Sequence, residues 1–128
     1  MDSISGISKE TNAGGDFYIL LGDFLDAFYK APSDVQAQMI RESPEDMGRQ
    51  EYLPFLASTA HKLALDYELE PPRWAFEKRC YLPGRNPHFA CNAKGSLRLH
   101  FMYKSPSEFK HRNLFVDENV LAPPEHAS

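Results

Sequence analysis

Cys80, His88, Cys91 and His100 place four metal-type ligands within 21 positions, so zinc binding is the first chemistry to test. Structural zinc sites use two closely spaced ligand pairs and a longer spacer, because each pair closes one side of a tetrahedron. Here only His88 and Cys91 are closely spaced, while Cys80 and His100 stand alone. The pattern favours half-buried thiols and surface imidazoles, and no metal is expected. Two cysteines are also too few for a disulfide framework. A cysteine nucleophile needs a nearby cation or helix start to lower its pKa. The spacing sets none of His61, His88 and His111 beside a thiol. There is no Gly-x-Ser-x-Gly elbow. Nor is there a phosphate-binding loop: Gly14-Gly15 falls in a polar terminal stretch and Leu82-Pro83-Gly84-Arg85 reads as a turn. Asp23 and Asp26 are three apart on a helix edge, where carboxylates are usually solvated. The expectation is a protein without enzymatic activity or cofactor.

Binding is the better-supported chemistry. Arg73, Trp74, Lys78, Arg79, Tyr81, Arg85 and His88 interleave cations with rings, and Lys104, Lys110, His111 and Arg112 add a second basic cluster. Arginine and aromatic side chains are frequent interface anchors, offering large contact area at low entropic cost. The candidate partner-binding residues are therefore Arg73, Trp74, Lys78, Arg79, Arg85, Lys110, Arg112 and Asn113. Residue by residue the plainer expectation is that Trp74 and Tyr81 are core and the cations a solvated rim. The same mixture could stack on bases and neutralise phosphates, so a DNA-binding regulator using residues 73–112 is the alternative. Against that reading stand a pI near 5.7 and the absence of a basic recognition helix.

Charge is unevenly distributed. Residues 1–70 carry thirteen acids against five bases, and residues 71–128 five acids against nine bases. Such a split suits a charged partner surface, attraction between the two halves, or a homodimer.

The elements that must position these groups are mostly helical. At 128 residues, with 42% hydrophobic and 25% charged residues, the chain fits one ordinary globular domain. Ser, Gly, Asn and Thr dominate residues 1–14, which read as a loose tail. Residues 16–30 predict a packed helix with Tyr18, Leu21, Leu25, Phe28 and Tyr29 inward, widened by Phe17, Leu20 and Phe24. Ser33 and Gln36 form a capping-box pattern before a helix over 34–42 carrying Val35, Met39 and Ile40. Ser43-Pro44-Glu45-Asp46 looks like another helix start, cut short near Gly48. Residues 50–69 predict a long helix with Leu53, Leu56, Ala60, Leu63, Ala64 and Tyr67 on one face, ended by Pro71-Pro72. Beyond it Arg73 to Phe76 suggest a helical turn, and 81–91 an ordered loop. Residues 97–103 suit either a strand or a helix. Ser105-Pro106-Ser107-Glu108 is the cleanest capping box, opening a short helix that turns Phe109 inward. The fold class expected is mainly α: a small helical bundle with irregular or short β elements in the C-terminal half, spanning 15–122, with 123–128 a tail. No apolar run approaches the roughly 20 residues that span a bilayer. Met1 to Gly15 lack a leader's plan, so a cytoplasmic location without membrane association is expected.

The C-terminal half also resembles a family. Ser105-Pro106-Ser107-Glu108-Phe109-Lys110-His111-Arg112-Asn113-Leu114-Phe115-Val116, with Asn119-Val120-Leu121, carries the likeness. Leu63-Ala64, Pro71-Pro72-Arg73-Trp74 and Tyr81-Leu82-Pro83 extend it back towards His61. It is similar to a Ser-Pro-x-x-Phe-x-x-Arg-Asn-aliphatic-Phe-aliphatic pattern of small bacterial and phage-associated proteins. Some of these are paired with nucleotidyltransferase-like toxins, so the resemblance implies an antitoxin that neutralises a toxin by direct binding. Within the motif, Arg112 is expected either to pair with Glu108 on the helix surface or to anchor a backbone carbonyl or a partner's carboxylate.

Overall fold

A computed structural model describes residues 3–83, 88–89, 104–116 and 121. The architecture is mainly helical: α1 (Ile4–Asn12), α2 (Phe17–Lys30), α3 (Ser33–Arg41) and α4 (Tyr52–Asp66) precede two 3-10 turns, Arg73–Phe76 and Lys78–Cys80. A short parallel strand pair, β1 (His88–Phe89) and β2 (Leu114–Phe115), and α5 (Ser107–His111) complete the described elements. Among the described residues no helix is long and apolar enough to cross a membrane. Residues 97–103 and 123–128 lie outside the described residues.

The core is built around α4. Leu53 to Ala60 are all buried, so this helix is covered nearly all round rather than along one stripe. Its polar members stay satisfied there. The hydroxyls of Ser58 and Thr59 each donate to the carbonyl four residues back, Pro54 and Phe55, both at 2.8 Å. Tyr67, expected on the inner face, packs edge-on against Phe28 at its rim and is 37% exposed. The helix stops earlier than the prolines require. Glu68 takes a left-handed φ of 58°, and the Leu69 amide returns to the Ala64 carbonyl at 2.7 Å. This closure satisfies the final carbonyls before Pro71 is reached.

α2 buries Phe17, Leu21, Phe24 and Phe28, a helical stripe rotated from the expected one. Tyr18, expected inward, is 45% exposed. The helix is apolar over most of its circumference, so sequence alone selects its buried face weakly. Phe17 decides it by stacking on Tyr52 of α4, centroids 4.0 Å apart and planes within 6°.

The expected tail is instead structural. Ser3 caps α1 by accepting from the Gly6 amide at 3.0 Å. Ile4 and Ile7 are buried against the bundle. Ser8 is buried too, its hydroxyl donating to the Ser5 carbonyl and accepting from the Glu45 amide. Two buried isoleucines in a Ser-rich segment give little periodic signal. Gly14-Gly15 forms the turn between α1 and α2. Gly14 has φ of 109°, and a Cβ on Gly15 would meet the Glu10 carbonyl oxygen at 2.9 Å.

None of the three expected caps forms as such. Gln36 is buried and donates to the Phe28 carbonyl at 2.9 Å, covering the end of α2 instead of capping its own helix. Residues 43–47 are irregular. Their polar groups bond across the fold: Ser43 Oγ accepts from Arg79, and the Glu45 amide donates to Ser8. Ser105 leaves α5 uncapped and clamps Val116 instead, donating to its carbonyl at 2.7 Å and accepting from its amide at 2.8 Å.

Candidate functional site

The chain after α4 turns a corner at Glu70-Pro71-Pro72 and enters the first 3-10 turn, which Pro72 starts in an extended conformation. Trp74 fixes this corner to the bundle. It is buried, and its indole N–H donates to the Ile40 carbonyl at the end of α3, 3.1 Å away. The Cys80 thiol donates to the Trp74 carbonyl at 3.3 Å, tying the second turn to the first.

Between the end of α3 and this corner lies an open groove of about 550 Å³. Ala37, Pro71 and Pro72 supply half-buried apolar surface over the buried Ile40 and Trp74, and Arg41, Arg73 and Glu70 the charges. Arg41 and Arg73 are exposed, and neither makes an ion pair with another described residue.

Arg79 faces elsewhere and is engaged. Its guanidinium bonds Glu77 at 2.9 Å, Asp46 at 3.0 Å and Ser43 Oγ at 2.6 Å. It thereby splints the 43–47 segment to the second turn. The carboxylates raise its pKa, Glu77 foremost.

Arg112 is the other centre, and it is fully buried. Nη2 donates to the Ala75 carbonyl at 2.8 Å, and Nη1 to the Glu108 carbonyl at 3.0 Å. His61 Nδ1 lies 3.2 Å from the same Nη1. Rings of Phe76 and Tyr81 flank the guanidinium, with centroids 5.4 and 5.0 Å from Cζ. Burial lowers the Arg112 pKa. Of the two expected roles, carbonyl anchoring is the one seen; the contact with Glu108 is to its backbone, and no described carboxylate bonds the guanidinium. Burial also lowers the His61 pKa, with the Arg112 charge adding to the effect.

The eight candidate binding residues therefore do not form one surface. Arg73 and Lys78 are exposed. Trp74 and Arg112 are interior, which corrects their assignment to a partner surface: each carries polar groups that the fold itself bonds. Arg79 is committed to its two carboxylates, and Lys110 is half-buried on α5. Asn113 occupies a left-handed turn with φ of 61° and donates its amide to the Pro83 carbonyl, so its conformation and side chain are both used locally. Arg85 lies outside the described residues. Sequence grouping missed Arg41, because it sits in the acidic half of the chain and only folding brings it to Arg73. It also missed His61, which spacing alone cannot connect to Arg112.

Of the four ligand-type residues Cys80, His88, Cys91 and His100, the last two lie outside the described residues. Cys80 is buried with its thiol directed at a carbonyl, and His88 is in β1. Among the described residues no three His, Cys, Asp or Glu side chains gather as a metal would require. Burial pushes the Cys80 thiol from 9.0 up to about 11. That rise lowers its thiolate fraction about a hundredfold at neutral pH. With Cys91→Ser to isolate it, Cys80 should react with iodoacetamide at least about a hundredfold more slowly in the folded protein than in urea. Equal rates would show that the thiol is accessible.

No protein-family model matches the chain, and no curated protein or solved structure matches it either.

Proposed function

We propose that the chain is a non-catalytic protein-binding module whose corner groove takes an acidic, partly apolar segment of a partner protein. The observation that carries this reading is the sharing of one groove by Arg41 and Arg73, both exposed and without ion pairs among the described residues. Buried arginines cannot recruit a partner, and arginines already bonded to carboxylates gain little by exchanging them. Exposed arginines unpaired among the described residues, beside the half-buried apolar groups of Ala37, Pro71 and Pro72, have the composition of an interface anchor. The resemblance of the C-terminal half narrows the partner to a nucleotidyltransferase-like toxin, making the chain its antitoxin.

The duplex-DNA alternative draws less support. Of its basic residues, Arg112 is interior and Arg79 is splinted to two carboxylates, which reduces the phosphates that residues 73–112 could neutralise.

The test is co-purification with the protein encoded next to this one, using wild type and the Arg41→Glu/Arg73→Glu double variant. Wild type should retain the neighbour. The double variant should lose roughly tenfold to hundredfold in affinity, as expected for two interface arginines. Undiminished binding by the double variant would refute the groove, and no complex with wild type would refute the pairing.

A further inference from the structure

We infer that His61 is an acid-sensitive latch, holding the C-terminal segment 104–116 on the bundle only while its imidazole is neutral. The argument starts from Arg112. A guanidinium has donors and no acceptor and keeps its proton throughout the physiological range. The 3.2 Å contact between Arg112 Nη1 and His61 Nδ1 is therefore a hydrogen bond only if Nδ1 offers a lone pair. This assigns the imidazole proton to Nε2. Protonating Nδ1 removes the acceptor and sets a second positive charge against a buried first one. Arg112 has little in reserve, because its Nε has no partner among the described residues. The same side chain connects three elements: its own segment after α5, α4 through His61, and the first 3-10 turn through Ala75.

The surroundings of His61 favour the neutral ring. From α5 and the residue after it come Glu108, His111 and Arg112: the Glu108 charge favours the imidazolium, and the other two oppose it. From the first 3-10 turn comes Phe76, an uncharged ring in edge contact at 4.9 Å. On α4 itself the neighbouring Lys62 is paired with Asp66 at 2.9 Å. His61 is only half-buried, so a proton can reach it from solvent.

Two further contacts between α4 and α5 do not titrate. Phe55 packs edge-on against Phe109, centroids 5.3 Å apart, and Ser58 Oγ reaches the Glu108 carbonyl at 3.4 Å. Protonation should thus loosen the segment without unfolding the bundle. The latch requires no partner, so its test is independent of the proposed binding function.

The experiment is amide hydrogen exchange on the intact chain, corrected for intrinsic rates, between about pH 7.5 and pH 5.5, either side of the ordinary imidazole value. In wild type, exchange in Ser107–His111 should accelerate roughly tenfold on acidification, the size expected when a buried donor loses its acceptor. In His61→Gln, whose amide oxygen can accept from Arg112 but does not titrate, the acceleration should disappear. Equal acceleration in the variant would overturn the latch. Nitrogen-15 spectra of the wild-type imidazole provide a check that needs no variant. A proton on Nε2 at about pH 7.5 supports the assignment, and one on Nδ1 overturns it.

Discussion

Arg112→Ala should destabilise the protein by roughly 3–5 kcal/mol, the range for truncating a large, well-packed interior side chain. Two effects combine. The cavity left between Phe76 and Tyr81 loses its packing, and the carbonyls of Ala75 and Glu108 lose their donor. A domain of this kind has only about 5–15 kcal/mol in total, so the variant should be marginal near 37 °C. Urea denaturation followed by circular dichroism checks this, with a midpoint roughly 2 M below wild type. Arg112→Lys separates charge from geometry. Lysine keeps the charge but lacks the planar fork that reaches two carbonyls and an imidazole, so it should recover only part of the loss. Full recovery by lysine would show that the bonds to Ala75 and Glu108 matter little.

Removing residues 1–14 should cost roughly 3–6 kcal/mol, from exposing the surfaces that Ile4 and Ile7 bury at about 1.5–3 kcal/mol each. The Glu45 amide would also lose the Ser8 hydroxyl, loosening the segment that leads into α4. A loose tail predicts the opposite, since cutting unpacked residues leaves stability nearly unchanged. Ile4→Ala is the milder form of the same test, with a loss of roughly 2–5 kcal/mol. Denaturation midpoints equal to wild type in both proteins would show that α1 contributes nothing to the core.

His61 adds a pH dependence whose sign follows from its lowered pKa. The unfolded chain binds a proton there more readily than the folded one. Stability from this site is therefore complete above the free value of 6.5 and declines as pH falls through the folded value.

How much of this was legible in the residues can be seen element by element. The helical character of α2, α3, α4 and α5, the break at Pro32, and the inward direction of Phe109 all follow from local periodicity and backbone constraint. Those signals act within a few residues of one another, so they survive without knowledge of neighbours. Three readings failed for a common reason. The capping pattern of Ser33 and Gln36, the helix start at Ser43-Pro44 and the cap at Ser105 each assumed that a polar side chain would serve the nearest backbone. Gln36, Ser43 and Ser105 instead bond Phe28, Arg79 and Val116. Local hydrogen bonds compete with distant ones, and in a folded chain a buried orphan group elsewhere can win.

The candidate site divides in the same way. Its ingredients, exposed arginines beside prolines and a tryptophan, were visible as composition. Their grouping was not. Arg41 and Arg73 are separated by the whole of α4, while Arg73 and Arg112 look like members of one basic stretch but end on the surface and in the interior. By itself the sequence determined that α2 to α5 would coil and that Pro32 would separate α2 from α3, because those outcomes depend on neighbours along the chain. Only the tertiary structure decided which cations stay at the surface and which become buried struts, because solvation and charge pairing depend on what folding brings within a few ångströms.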